Sequence, residues 1–354
     1  MVDPKRKVKK STNRKRTPAK RKSTKSKMSP SQLQVMKDSA VKFRGPSKWQ
    51  KQALSQREVN LISYYPKFLI FGDVGTGKTH NISSAFQQSE FSGKRMHINS
   101  FKPMRIIDCN RSANLIANKD FEDGYMKGDV IIINPYVKQI EKEVDGKSVI
   151  VEVPITDRIE KVKAVWNLIK ECRSFSDGSL AIDGFDVIEK DCMVYVNQKF
   201  NMIEKDDGSL WKKGYDEKTN TPTEKRVNGI LQFQYGPRNE KVRAILSDLS
   251  KLTIPVILTA HPQEKYENNE PTGIITSNLR SEVEDDMDCI IQFKNFDKIT
   301  QKKVNGATVI VNEDMRKLMV KKNRFQKKGS PDARIIEKEC FEFTDVFEIL
   351  AEGL

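Results

Sequence analysis

Apolar positions along the chain alternate between short continuous runs and helix-spaced stripes. "KFLIFG" (67–72) is a short apolar run ending in Gly, the pattern of a parallel strand buried on both faces. "KTHNISSAFQQ" (78–88) follows with Ile82, Ala85 and Phe86 at helical spacing. "MRIIDC" (104–109) and "DVIIIN" (129–134) predict further strands. "KQIEKEVDGKSVIVEVPI" (138–155) carries Asp-Gly between alternating runs and predicts a hairpin. The next stretch, 155–175, sets Ile159, Val162, Val165, Trp166 and Ile169 on one helical face, with Thr156 and Asp157 as candidate caps.

"SLAIDGFD" (179–186) reads as a strand ending in carboxylates, "EKVRAILSDLSKL" (240–252) as a helix, and "IPVILTAH" (254–261) as a buried strand ending in polar groups. "MDCIIQF" and the pair "ATVIVN" and "KLMVKKNRF" supply the last strands, the latter two as a possible hairpin. This alternation over about 60–350 implies an α/β fold with a mostly parallel sheet between helices. The expected organisation is a basic tail at 1–28, a helical extension at 29–60, and a core at 61–354 interrupted by a polar insertion at about 201–228.

Charge sharpens this division. Of 354 residues, 63 are basic and 48 acidic, and residues 1–27 alone hold thirteen Lys/Arg against one Asp. The tail lacks the apolar residues needed to offset ordering entropy and is expected to be disordered. Its charge density suits a polyanion, foremost nucleic acid. "PKRKVKK" also resembles a nuclear address, so the expected location is the cytoplasm or nucleoid, or the nucleus of a eukaryotic host. The five cysteines form no Cys-x-x-Cys unit, which fits a reducing interior without zinc or disulfides. No apolar run reaches the ~20 residues of a membrane helix, so no membrane partner is expected.

The chemistry begins after the first strand. Gly72, Asp73, Val74, Gly75, Thr76, Gly77, Lys78 and Thr79 fit G-x-x-x-x-G-K-[ST] in full, and His80 follows. In such a loop, backbone N–H groups and the helix N-terminus surround the β-phosphate. Lys78 reaches the β- and γ-phosphates, and Thr79 places its hydroxyl on Mg²⁺. Asp183 ends an apolar strand and is the candidate carboxylate for the magnesium shell, with Asp186 as a cap or supporting group. Hydrolysis also needs a group to orient water. Gly184, not Glu, follows Asp183, and the strand after the P-loop helix ends in Asp108 and Asn110. Asp108 is the candidate base, and Asn110 can only orient water. His261 closes its strand as a candidate γ-phosphate sensor.

These pieces resemble the RecA-like P-loop ATPases of bacteriophages, and most closely the Sak-type single-strand annealing and recombination ATPases. The resemblance rests on "GDVGTGKT", "SLAIDGFD", the helix and strand ending in "VILTAH", and "VKKNRF", and spans about 65–325. It implies an ATP- and Mg²⁺-dependent DNA-binding protein, single-stranded DNA favoured, assembled as a ring or filament with ATP between subunits. Lys322 and Arg324 would reach a neighbour's nucleotide. Loop 262–282 would face DNA. In the insertion, which departs from the family, Trp211, Lys212, Lys213 and Tyr215 combine aromatics with positive charge, as single-strand sites or an ordinary surface loop do. The absent Glu is the main departure. The alternatives are a helicase, helicase loader or packaging motor, and a nucleotide-gated DNA-binding module with little hydrolysis.

Overall fold

The computed structural model describes residues 62–352, apart from 94–95, 145–146, 268–269, 305–306 and 326–333. The basic tail and the 29–60 extension lie outside the described residues. Eight strands form the main sheet: β1 (Lys67–Gly72), β2 (Met104–Asp108), β3 (Val130–Ile133), β4 (Ser179–Asp183), β5 (Val256–Ala260), β6 (Cys289–Val304), β7 (Ala307–Asn323) and β8 (Ile335–Lys338). Their order is β8-β7-β6-β1-β5-β4-β2-β3. From β6 to β3 every pairing is parallel. β7 and β8 pair antiparallel at one edge.

The continuous apolar runs follow from burial on both sheet faces, because successive side chains point to opposite sides. On one face, Leu69, Phe71, Leu180, Ile182 and Leu258 pack against α3 (Arg158–Glu171), α4 (Phe185–Asp191) and α5 (Gly236–Leu249). On the other, Phe68, Ile70, Ala181 and Ile257 meet α1 (Lys78–Ser83), α2 (Ala113–Asp120) and α7 (Phe343–Ala351). A short helix, α6 (Ser281–Asp286), precedes β6. The α/β expectation therefore holds, with helices on both faces of a mostly parallel sheet.

Local signals account for several element boundaries. The Asp157 carboxylate accepts from Glu160 N at 2.8 Å and starts α3, as the sequence suggests. Of the predicted α3 face, Val162, Val165 and Ile169 are buried, while Trp166 sits at the margin and donates to Asp248 at 2.7 Å. α7 closes the second core through aromatic edges: the Phe343 ring lies 5.1 Å from Phe68 and 5.0 Å from Phe101.

Antiparallel ribbons are added to this frame. Strands Val137–Val144 and Lys147–Pro154 form the expected hairpin. The polar insertion is a three-stranded antiparallel sheet of Met202–Glu204, Leu210–Asp216 and Thr221–Val227, largely solvent-facing on its second and third strands. The predicted loop 262–282 is mostly a second hairpin, Pro262–Glu267 with Glu270–Ser277, running into α6. Strand alternation in the last two stretches is masked in the sequence because neither face is continuously apolar.

Candidate nucleotide site

The site lies at the C-terminal ends of β1, β2, β4 and β5, where parallel strands hand over to loops and helices. A cavity of about 710 Å³ is lined by the P-loop residues Val74, Gly75, Gly77, Lys78 and Thr79, and by His80, Asn110, Ser112, His261, Arg316 and Cys340, among others. The loop needs its first glycine for a reason the motif does not state. A methyl group at Gly72 would sit 2.4 Å from the carbonyl oxygen of Phe293 on β6.

Thr79 and Asp183 meet although 104 positions separate them. Thr79 Oγ1 donates to Asp183 Oδ2 at 2.8 Å. The other carboxylate oxygen accepts from Thr259 Oγ1 at 2.6 Å and from Asn110 Nδ2 at 3.4 Å. Thr259 in turn accepts from Gly184 N at 2.8 Å, so a fully buried hydroxyl aims the carboxylate. Sequence reasoning missed Thr259; the signal was a polar residue inside the otherwise apolar run "VILTA".

Lys78 is folded back onto its own loop, donating to the carbonyls of Gly72 at 2.7 Å and Asp73 at 2.8 Å. Burial pushes its ammonium below the ordinary value, with Asp183 and Asp186 pulling the other way. A desolvated cation, a threonine hydroxyl and a buried carboxylate form a hard-oxygen and cationic donor set. That set suits a Mg²⁺–triphosphate, with Thr79 and Asp183 toward the metal and Lys78 toward the phosphates. When bound, the ion would neutralise charge on the phosphate oxygens.

Three sequence-predicted residues are placed unequally for hydrolysis. Asp108 is buried and its two oxygens accept from Ser112 N at 3.2 Å and Ala113 N at 2.8 Å, so it caps α2. Burial pushes its carboxyl above the ordinary range, against the Ala113 N–H and reinforced by neighbouring Asp183. Asn110 and His261 line the cavity, and Asp108 does not. His261 Nδ1 lies 2.8 Å from Asp186 Oδ2, which also accepts from Asn278 Nδ2 at 3.0 Å. The pair is a histidine oriented by a carboxylate, an arrangement that can hold or accept a proton.

The missing Glu has a steric reason. Gly184 has φ 89°, and a Cβ there would lie 2.6 Å from Asn110 Oδ1. A glutamate at this position would meet backbone strain, and the Asn110 side-chain amide would have to swing aside.

Lys322 and Arg324 are not brought to their own chain's cavity. Lys322 Nζ donates to the carbonyls of Glu284 at 2.8 Å and Asp285 at 3.1 Å. Arg324 pairs with Asp288 at 2.8 Å and donates to Asp285 O at 3.0 Å. Both hold the C-terminal end of α6, where carbonyls lack helical partners.

His80 Nδ1 lies 3.0 Å from Asp120 Oδ2, and His80 and Cys340 line the same cavity. The contact with His80 holds the Cys340 thiol below its ordinary value, with Arg316 assisting. Cys340, Arg316 and Asp120 carried no sequence signal, because residues far apart in the chain bring them to this cavity. Among the described residues, no cluster of His, Cys, Asp and Glu suits a metal held by protein alone, and no helix is long and apolar enough to cross a membrane.

No protein-family model matches the chain, and no curated protein sequence matches it. Solved structures similar in fold include a DnaB-like replicative helicase studied with its primase interactions. It shows 10% identity and a TM-score of 0.37 over 87% of this chain and 68% of that one. The ATPase EscN, assembled with its central stalk EscO from the type III secretion system of enteropathogenic E. coli, shows 12% identity and a TM-score of 0.33. That match covers 64% of this chain and 42% of EscN.

Proposed function

We propose that this chain binds ATP with Mg²⁺, hydrolyses it, and couples that cycle to binding DNA in recombination or single-strand annealing. The observation that carries the nucleotide half is the Thr79–Asp183 hydrogen bond at the mouth of a complete P-loop. Asp186 and His261 supply the group that orients water, with Asn110 beside them. Asp108 keeps its part in holding α2, and through α2 the Ser112 hydroxyl 3.4 Å from Asp183.

The DNA half rests on charge and exposure. The tail offers thirteen cations for counterion release. The hairpin leaving His261 exposes Tyr266, and the 202–227 sheet exposes Tyr215, aromatic rings on which bases can stack. Hairpin and sensor are consecutive in the chain, which gives nucleotide state a short path to the DNA-facing ribbon. In a ring or filament, Lys322 and Arg324 would leave the carbonyls of α6 to reach a neighbour's nucleotide.

A second reading is favoured by the carboxylates present: Gly184, not Glu, follows Asp183, and both oxygens of Asp108 are engaged. It is a nucleotide-gated DNA-binding module with little turnover. Phosphate release by the full chain with ATP and Mg²⁺ separates the two, run without DNA, with single strands and with duplex. Turnover stimulated by single strands and lost in Lys78→Ala supports the ATPase. Nucleotide binding without release above that blank supports the module.

A further inference from the structure

Arg316 is an unassigned cation at the P-loop. It lies on β7, and its register partners are Asn295 on β6 and Lys338 on β8. Alternation along β7 puts Arg316 on the same face as Leu318 and Val320, which are buried against the core beneath α1 and α7. Two residues beyond that core, the side chain reaches over the last glycine of the loop. A methyl group on Gly77 would touch Arg316 Nε at 3.6 Å and Cζ at 3.9 Å. The side chain borders the main cavity and also a second one of about 310 Å³ against Gly75 and Asn295.

Its bonding is incomplete. One Nη donates to the carbonyl of Glu339, while Nε is buried and has no partner. Other arginines of the chain, such as Arg105, Arg158, Arg280 and Arg324, each pair with a carboxylate. Among the described residues none pairs with Arg316. Arg316 is half-buried, and a buried Nε donor without an acceptor calls for an explanation. An anion arriving at the P-loop supplies both the counter-charge and the acceptor.

We propose that Arg316 is a phosphate-binding residue acting in cis, holding the polyphosphate chain of the nucleotide at the P-loop from beside Gly77. The inference rests on the nucleotide reading of the site. It gives the chain a guanidinium at its own nucleotide, independent of Lys322 and Arg324 and of any neighbour.

The test is equilibrium binding of fluorescent ATP to the full chain with Mg²⁺, with inorganic tripolyphosphate as competitor. The proteins are wild type, Lys78→Ala, Arg316→Ala, Arg316→Gln and Arg316→Lys. Arg316→Ala and Arg316→Gln are expected to bind ATP at least tenfold more weakly and to lose tripolyphosphate competition to the same degree. Arg316→Lys should fall between them and wild type. Thermal unfolding without nucleotide checks each fold, and the Gln and Lys variants carry the comparison if the alanine variant does not fold. Wild-type binding with Arg316→Gln within twofold of it overturns the role of Arg316 and leaves the nucleotide site standing. A wild type that does not bind ATP, or a Lys78→Ala protein that binds it equally well, overturns the nucleotide site itself.

Discussion

The Thr79 hydroxyl donates to the Asp183 carboxylate at 2.8 Å, joining the last residue of the P-loop to the end of a strand two places away in the sheet. β5 lies between β1 and β4, so the contact forms across an intervening strand whose Thr259 steadies the same carboxylate. The site is a preorganised set of oxygens held by three strands.

Asp183→Asn keeps the shape of this side chain and removes its charge. Affinity for ATP in the presence of Mg²⁺ should fall tenfold or more, about 1.4 kcal/mol per factor of ten. Affinity measured with excess chelator should change much less. Titration of a fluorescent nucleotide with and without Mg²⁺ checks this, and equal losses under both conditions would show that Asp183 acts on the loop and not on the metal.

Gly72→Ala should destabilise the fold as well as the site. The added methyl meets the Phe293 carbonyl at 2.4 Å, a backbone atom that can move only with β6. The expected loss is about 1–3 kcal/mol, the usual scale for forcing extra volume into a packed interior. Urea unfolding of the two proteins measures it; an unchanged midpoint would mean that β1 and β6 separate freely.

His80 gives stability a pH dependence of known sign. Its hydrogen bond with Cys340, then Asp120 against the opposing effect of burial, raises its proton affinity above the ordinary value of 6.5. A group that binds its proton more tightly when folded stabilises the fold fully below the unfolded value. That contribution is lost as pH rises through the folded value. The difference in melting temperature between wild type and His80→Ala should therefore be largest near about pH 5.5 and shrink toward about pH 8.5, a span set around ordinary histidine titration. A gap that stays constant over this range would remove the imidazolium from the account.

The five cysteines should react unequally. Cys109, Cys172, Cys192 and Cys289 are buried, and burial raises each thiol, that of Cys172 to about 11 and those of Cys192 and Cys289 to about 12. Cys340 is exposed and its thiol is lowered by the bond with His80. An aromatic disulfide reagent near neutral pH should titrate one thiol in the folded protein and five after denaturation. ATP should slow the single native reaction, because Cys340 lines the P-loop cavity. Rapid reaction at several sites in the folded chain would count against the packing of the two cores.

The sequence alone determined the P-loop, the strand that feeds it, the α/β class, a cap at Thr156 or Asp157, and Asp183 and His261 as strand-end groups. All of these depend on residues a few positions apart, where strand and helix periodicity act directly. Tertiary structure decided the rest. The sheet order set β5 between β1 and β4 and so made Thr259 a partner of Asp183. The left-handed turn after β4 made position 184 a glycine's place, and the start of α2 claimed the oxygens of Asp108. Pairing of β7 with β6 carried Arg316 over Gly77, and α7 anchored the segment that presents Cys340 to His80. Apart from the local cap at Asp108, these contacts join positions tens to hundreds of residues apart, and nothing in local spacing encodes which strand lies beside which. That choice is made by burying two apolar faces at once, a condition only the folded sheet satisfies.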